Sequence, residues 1–288
     1  MLALHQAVAE NSIQQVQKLI DEGANVNELE FEIRPHGKCT PLQVAAYKGN
    51  EEIADLLISN GALLEAKNHK GETALSMATY QKKNNVVKLL LSKGAYSYLH
   101  HAVFVNNTEI VRTLLSYGAN ANELDDFHNT PLHSAIQMEN CEIIQILLDH
   151  NADINASDHS GSTPLQDVIL NKNVKVTQLL LERGADPNLS SNGYHLPLQI
   201  AVRSGCLKIV VLLKSYNVDL NHKDRSGRTA LHFLHQESQS NQTVDMLEFL
   251  LRNGARINIQ DNFGNNAIEK SLYCKNIGIA KLFWFNSF

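Results

Sequence analysis

Thirteen histidines and four cysteines are the side chains of this 288-residue chain that are best suited to hold a metal ion. Four of the histidines, His5, His100, His133 and His232, occur at the same position of a recurring motif. Equivalent residues of helices packed side by side lie about 8–10 Å apart. Zinc holds its nitrogen ligands at about 2.1 Å, so these histidines cannot share an ion. We therefore expect them to have a structural role.

No other group of side chains has a spacing that indicates catalysis. The local pairs His100–His101 and His232–His235 have no cysteine or carboxylate at ligand spacing. The sequence contains no glycine-rich phosphate loop, no Gly-x-Ser-x-Gly elbow and no Cys/His pair with a third orienting residue. We predict that the chain is not an enzyme and that it has no catalytic residues, no metal site and no cofactor.

The motif that carries these histidines is a block of seven residues that recurs with an almost fixed period of 33 residues. It reads TPLQVAA at 40–46, TALSMAT at 73–79, TPLHSAI at 130–136, TPLQDVI at 163–169, LPLQIAV at 196–202 and TALHFLH at 229–235. A period of this length predicts a stack of similar supersecondary units.

Each unit is predicted to contain a helix, a turn, a second helix and a loop. The Thr that begins most blocks is a good helix N-cap, and Pro is tolerated at the first helical position. A stripe of apolar residues at helical spacing comes next, as at Ile143, Ile144, Leu147 and Leu148. Gly or Asn then stands where a left-handed C-terminal cap is expected, and an extended finger leads to the next unit.

These residues resemble the ankyrin repeat, whose pattern Gly-x-Thr-Pro-Leu-His-x-Ala-Ala, followed by Leu-Leu-Leu-x-x-Gly-Ala-Asp-x-Asn, is matched in unit after unit. The resemblance covers essentially the whole chain. It implies an all-α solenoid whose concave face is made by the first helices and the finger tips. It also implies that the recurring histidines form structural hydrogen bonds to neighbouring loops, and that finger asparagines such as Asn155 and Asn188 are candidate hydroxylation sites.

We expect a single array over residues 1–288, made of nine units with the approximate bounds 1–35, 36–68, 69–96, 97–125, 126–158, 159–191, 192–224, 225–261 and 262–288. The period breaks at three places: the first finger has five extra residues within 28–35, the finger after Ala95 is almost absent, and the stretch 236–242 lengthens an inter-helix loop. We expect the first break to mark a contact with a partner, because Phe31 and Ile33 are apolar residues in an exposed finger.

The C-terminal end is unusually apolar for a terminal repeat, which normally has a polar outer face. Phe283 and Trp284 are expected to take the two core Leu positions of a second helix, which leaves Phe285 and Phe288 in excess. Either the chain is cut from a longer protein, or this end docks on another surface.

The composition excludes several classes of protein. The net charge of −5 gives no basic footprint for nucleic acid. No apolar run approaches the length that spans a membrane, and the N-terminus lacks the features of a secretory signal. Cys39, Cys141, Cys206 and Cys274 fall in units that are not sequential neighbours, so no intramolecular disulfide is expected. A cytoplasmic or nuclear location is therefore expected, with delivery into a host cell if the chain is an effector.

Side chains at the finger tips and late in each first helix are the ones that point into the concave groove of the resembled family. Aromatic residues and Arg at such positions are typical of interface hot spots, and three of the arginines indicate a patch for an acidic or phosphorylated segment. The predicted partner-binding residues are Phe31, Tyr47, Tyr80, Phe104, Phe127, Met138, Leu170, Tyr194, Arg203, Arg225 and Arg228.

We predict a non-enzymatic protein–protein interaction module, monomeric by itself, that binds another protein as an adaptor, signalling inhibitor or effector. One alternative is a regulatory or substrate-recruiting fragment of a larger enzyme or channel. Another is an intracellular pathogen or viral effector that acts on host signalling. A nucleic-acid or small-ligand binder is disfavoured by the acidic balance and by the lack of a pocket-forming element.

Overall fold

The computed structural model describes residues 3–33, 36–189, 195–236, 241–274 and 276–285. For residues 31, 32, 235, 236, 241 and 285 it describes only the backbone. Helices occur in consecutive pairs, as predicted. They are α1 (Ala3–Ala9), α2 (Ile13–Asp21), α3 (Pro41–Lys48), α4 (Glu51–Ser59), α5 (Ala74–Tyr80), α6 (Asn84–Ser92), α7 (Leu99–Phe104), α8 (Thr108–Ser116), α9 (Pro131–Gln137), α10 (Cys141–Asp149), α11 (Pro164–Leu170), α12 (Val174–Glu182), α13 (Pro197–Arg203), α14 (Leu207–Ser215), a 3₁₀ helix (Ala230–Gln236), α15 (Asn241–Arg252), α16 (Ala267–Tyr273) and α17 (Ile277–Phe285).

The recurring block forms the start of each first helix through local hydrogen bonds. At α3, the hydroxyl of Thr40 accepts from the amide of Gln43 at 3.3 Å, and the Gln43 side chain accepts from the amide of Thr40 at 2.9 Å. Pro41 occupies the first helical position, where its missing N–H costs no hydrogen bond. Gly49 ends the helix with a left-handed φ of 86°, which glycine adopts without strain.

The chain divides into two compact units. Unit 1 comprises Met1–Glu123 with Glu142–Asn151, and unit 2 comprises Leu124–Cys141 with Ala152–Phe288. Within unit 1, α3 packs on α5 and α5 on α7, and the second helices α4, α6 and α8 pack in the same order. Within unit 2, α11 packs on α9 and α13, and α13 packs on the 3₁₀ helix. The prediction of one array over residues 1–288 stays a prediction.

The core of each unit consists of the apolar positions that the repeat predicts. Leu42, Leu99 and Leu132, the central Leu residues of three blocks, are fully or almost fully buried. Burying a Leu side chain contributes about 1.5–3 kcal/mol to stability. The apolar stripe of the second helices is buried as well, as at Ile143 and Ile144.

The first finger differs from the all-α expectation, because its extra residues form a β-hairpin. Strand β1 (Phe31–Ile33) pairs antiparallel with β2 (Gly37–Cys39), with Phe31 opposite Cys39 and Ile33 opposite Gly37. Ile33 and Cys39 are buried. The five extra residues thus allow this finger to form two paired strands. The apolar pattern of so short a stretch could not predict them. The finger after Ala95 is reduced to a few residues before α7 begins at Leu99, as the spacing predicted.

The last repeat corrects one expectation. Phe283 is buried, as predicted for a core Leu position, but the prediction for Trp284 is wrong because 61% of this side chain is exposed. At the equivalent positions of α6 and α12, Leu91 and Leu181 are buried. The next second helix in the stack packs on each of these helices, α8 on α6 and α14 on α12.

The longest described helix, α15, has 12 residues, whereas a bilayer needs about 20. Within the described part of the chain, no helix meets the length and hydropathy of a membrane span.

Candidate partner-binding face

The recurring histidines form structural hydrogen bonds, and glutamine forms the same hydrogen bonds where it occupies the same position. In unit 2, His232 Nδ1 accepts from the amide of Thr229 at 3.0 Å, and its Nε2 lies 3.1 Å from the carbonyl oxygen of Asn265 in the next finger. Gln199 accepts from the amide of Leu196 at 3.3 Å and donates to the carbonyl oxygen of Arg228 at 2.8 Å. Each side chain therefore joins its own helix start to the following finger.

The burial of these imidazoles changes their acid–base behaviour. Desolvation lowers the pKa of His5 and of His232, although carbonyl hydrogen bonds act in the opposite direction. Both rings are therefore disfavoured in their charged form, and for His232 the hydrogen bond that Nδ1 accepts from Thr229 also requires a neutral ring. Among the described residues, no three His, Cys, Asp or Glu side chains are arranged to hold a metal ion. The four cysteines are all free thiols.

In unit 1, the first helices present aromatic rings to solvent beside the fingers. Phe104, the last residue of α7, is 64% exposed, and Tyr80, the last residue of α5, is 50% exposed. Tyr47, near the end of α3, is only half-buried rather than exposed, because its ring packs edge-on against His36 at 5.4 Å between centroids. Tyr80 contacts His36 at 5.9 Å and His101 at 6.0 Å. Tyr47, His36, Tyr80 and His101 thus form a continuous row of rings.

A partly buried hydrogen-bond network holds this row in place. His36 Nδ1 lies 2.9 Å from a Glu72 carboxylate oxygen, and Asn68 donates to the same carboxylate at 2.7 Å and to the carbonyl oxygen of His36 at 3.1 Å. Burial acts to raise the pKa of Glu72, but the hydrogen bonds from Asn68 and His36 outweigh it and lower the pKa. Burial lowers the pKa of His101, and its Nε2 has no hydrogen-bond partner in the described part of the chain.

In unit 2, the corresponding face is apolar at one end and basic at the other. Phe127, in the finger before α9, is 73% exposed. Met138 comes directly after the last residue of α9, and Leu170 is the last residue of α11; both are exposed. The fingers are tied together, because the amide of His159 donates to the carbonyl oxygen of Phe127 at 3.3 Å. Arg203 occupies on α13 the position that Leu170 occupies on α11.

The basic end surrounds the ring of Phe233, which is buried. The Arg228 guanidinium lies 4.7 Å from the centroid of this ring, and the His195 ring packs edge-on against it at 5.6 Å. Arg228 forms an ion pair with Asp224 at 2.7 Å, and Arg203 Nη1 lies 3.4 Å from His195 Nε2. Burial, followed by the charges of Arg203 and Arg228, lowers the pKa of His195.

Several of the predicted residues are only partly described. Phe31 is described through its backbone in β1 alone, and Tyr194 lies outside the described residues. Arg225 is exposed, and its carbonyl oxygen accepts from Asn262. Arg228 is part of the basic end, but its charge is already paired with Asp224. That these residues bind a partner stays a prediction.

The sequence did not predict that His36 and His101 belong to the row of rings in unit 1, or that Glu72 holds His36 in place. None of them stands at a repeated position of the motif. The extra residues before His36 were a signal for it, because an insertion places side chains at positions that have no counterpart in the other repeats.

Comparison with known proteins gives a consistent assignment. The family model described as ankyrin repeats matches in three copies, over residues 4–98, 99–191 and 188–261. Among solved structures, 590 chains match. One is the ankyrin repeat domain of Bcl-3, described as a unique member of the IkappaB protein family. It is 25% identical, the match covers 84% of this chain and 98% of that one, and the TM-score is 0.59. No curated protein sequence matches. With its helix pairs, block hydrogen bonds and matched residues, the chain belongs to the ankyrin-repeat family.

Proposed function

We propose that the chain is a non-enzymatic binding module that holds a partner protein on the face formed by its first helices and fingers. Ankyrin repeats are protein–protein interaction modules, which supports the general role. The mechanism is presentation of a rigid, preorganised surface, which lowers the entropy cost of association.

The observation that carries the proposal is the placement of the exposed aromatic side chains. Tyr80, Phe104, Phe127, Phe263 and Tyr273 are all at least half exposed and all lie at the ends of first helices or in fingers. Large apolar side chains that are exposed to solvent in this number favour a role as contact surface. Aromatic residues are also the commonest interface hot spots.

The similarity to the Bcl-3 domain favours a regulatory role in signalling, as an inhibitor or adaptor that acts by occupying its partner. A regulatory segment of a larger enzyme or channel, and an effector delivered into a host cell, are the alternatives. Sequencing the complete gene distinguishes them, because a catalytic or membrane-spanning segment beside the repeats would favour the regulatory segment. Four free thiols favour a reducing compartment, and we propose the cytoplasm or nucleus.

The test compares two double variants that each add two negative charges. Phe104→Glu with Phe127→Glu changes the proposed face, and Leu63→Glu with Tyr117→Glu is the matched control. Leu63 and Tyr117 are 62% and 51% exposed and come after the second helices α4 and α8. Both proteins are used as tagged baits in lysate from cells that express the chain, and the recovered proteins are quantified by mass spectrometry.

We expect partners to be recovered with the natural chain and with the control, and to be lost with the variant of the face. Circular dichroism checks that both variants are folded. The proposal is wrong if the same partners are recovered with the face variant, or if the control loses them equally.

A further inference from the structure

The basic end of the unit 2 face carries a positive charge that no described side chain neutralises. Arg203, the last residue of α13, is only partly exposed, and its guanidinium contacts the neutral His195 ring. Within the described residues, no carboxylate forms an ion pair with Arg203. In the sequence, the stretch 190–194 that precedes His195 contains no acidic residue. A partly buried cation with no counter-charge is costly unless a ligand supplies one.

The neighbouring arginine is already compensated, which leaves a net positive cluster. Both Arg228 Nε and its terminal nitrogen contact one oxygen of Asp224, at 2.8 and 2.7 Å, and the side chain of Asp224 has no exposed surface. The cluster therefore contains one carboxylate, that of Asp224, and two guanidinium groups, those of Arg203 and Arg228. The flat ring of Phe233 beneath Arg228 keeps that guanidinium in a fixed plane.

The cluster is held in place by the structural glutamines of the repeat. Gln166 donates to the carbonyl oxygen of His195 at 2.6 Å, and Gln199 donates to the carbonyl oxygen of Arg228 at 2.8 Å. Both glutamines are almost fully buried. These hydrogen bonds thus fix the main chain of His195 and of Arg228, as a preorganised binding site requires.

We propose that Arg203, with Arg228 and His195 beside it, is an oxyanion site that takes an acidic side chain from an extended segment of the partner. A guanidinium is suited to this role because it offers paired N–H donors to a carboxylate or phosphate group. The proposal rests on the function proposed above and specifies one contact of the same face.

The adjacent helix adds a second requirement for the partner. Leu170 is exposed at the same position of α11, which packs directly against α13. Neighbouring helices lie about 8–10 Å apart, and an extended chain advances about 3.3 Å per residue. A segment that crosses both helices therefore places an apolar side chain on Leu170 and an acidic one on Arg203, two or three residues apart.

The test is selection of a displayed library of random 12-residue peptides on the full chain. Arg203→Gln removes the proposed contact. Arg252→Gln is the control with the same charge change, because Arg252 is an exposed residue of α15 paired with Glu248. We expect peptides selected by the natural chain and by the control to be enriched in an acidic residue two or three positions from an apolar one. The Arg203 variant should lose this enrichment.

A selected peptide is then synthesised with its acidic residue as Glu, Gln or phosphoserine, and binding is measured by fluorescence anisotropy. We expect Arg203→Gln and the Glu→Gln peptide each to weaken binding about tenfold, and the combination to add little, as for two halves of one contact. The phosphoserine peptide shows whether a carboxylate or a phosphate is preferred.

The outcomes separate the two proposals. If selected peptides bind the Arg203 and Arg252 variants equally but lose affinity with Phe127→Glu, the oxyanion site is wrong and the binding face stands. If no peptide is selected, or if binding is indifferent to both Arg203→Gln and Phe127→Glu, neither proposal stands. Thermal unfolding of each variant excludes loss of the fold.

Discussion

Replacement of His232 by Gln and by Leu tests whether the recurring histidines are hydrogen-bonding struts. His232 is almost fully buried, accepts from the amide of Thr229, and lies in hydrogen-bonding distance of the carbonyl oxygen of Asn265. Because an amide N–H can only donate, Nδ1 must be unprotonated and Nε2 must be the donor. Gln has one acceptor and one donor and already replaces histidine at this position in other repeats, as Gln199 shows.

The magnitudes are set by these two hydrogen bonds. Leu removes both. It leaves the buried amide of Thr229 without a partner, whereas the carbonyl oxygen of Asn265 still accepts from the amide of Asp261 at 2.9 Å. An unsatisfied buried group costs about 1–3 kcal/mol and a lost hydrogen bond about 0.5–1.5 kcal/mol, so we expect a loss of about 2–4 kcal/mol in the free energy of unfolding at pH 7.5. Gln restores both bonds, so His232→Gln should cost less than about 1 kcal/mol.

The pH dependence gives a second, independent prediction. The pKa of His232 is lowered in the folded state, so below the ordinary value of about 6.5 the unfolded chain binds the proton more readily. Stability is unaffected above that pH and falls as the pH decreases through it. At pH 5.5 this penalty is at most about 1.4 kcal/mol for one histidine. His232→Gln removes this penalty. As the pH is lowered from 7.5 to 5.5, the free energy of unfolding of the Gln variant should therefore increase relative to that of the natural chain.

Urea unfolding at the two pH values measures these differences. Circular dichroism follows all the helices, and the fluorescence of Trp284, the single tryptophan, follows the last repeat, whose helices pack on the 3₁₀ helix that contains His232. The reasoning is refuted if His232→Gln destabilises the chain as much as His232→Leu, or if the difference between the Gln variant and the natural chain is the same at both pH values.

Three further predictions concern the finger turns, the oxyanion site and the thiols. Gly227→Ala should lower the free energy of unfolding about 1–2 kcal/mol more than Gly184→Ala: both have a left-handed φ, but only at Gly227 would the added Cβ lie 2.8 Å from a main-chain nitrogen. Binding of the Glu peptide, measured by anisotropy, should weaken as salt is raised. It should also tighten as the pH falls below about 6.5, because His195 gains a proton next to the bound carboxylate, and His195→Gln should abolish only the pH effect. A thiol reagent followed by mass spectrometry should label the exposed Cys274 in the folded protein. Cys39, which is buried and has a raised pKa, should react only after unfolding.

The repeat and its hydrogen-bonding positions were predictable because they depend on neighbours close in sequence. Thr40 and Gln43 are three residues apart and form the helix start by themselves. The partner of such a side chain in the next finger comes at an almost constant separation, which is 29 residues both for Gln166 and His195 and for Gln199 and Arg228. A fixed period therefore determines the fold class, the helix positions and the structural role of these residues.

The exposure of particular residues depended on breaks in that period. The extra residues in the first finger form a hairpin and bring His36 against Tyr47, so a ring expected on the surface is half-buried. Trp284 is exposed, although Leu91 and Leu181 are buried at the equivalent positions of other repeats. A one-dimensional pattern cannot express either effect, since each depends on the side chains that lie beside the residue in the next layer.

The basic end of unit 2 shows the same division. The sequence by itself determined that arginines would stand on a first helix and in the next finger. Only the tertiary structure decided that Asp224 compensates Arg228 and that Arg203 has no carboxylate partner within the described residues. The physical reason is that charge pairing is decided over a few ångströms between side chains, and a repeat fixes the positions of backbones but not the partners that the side chains find there.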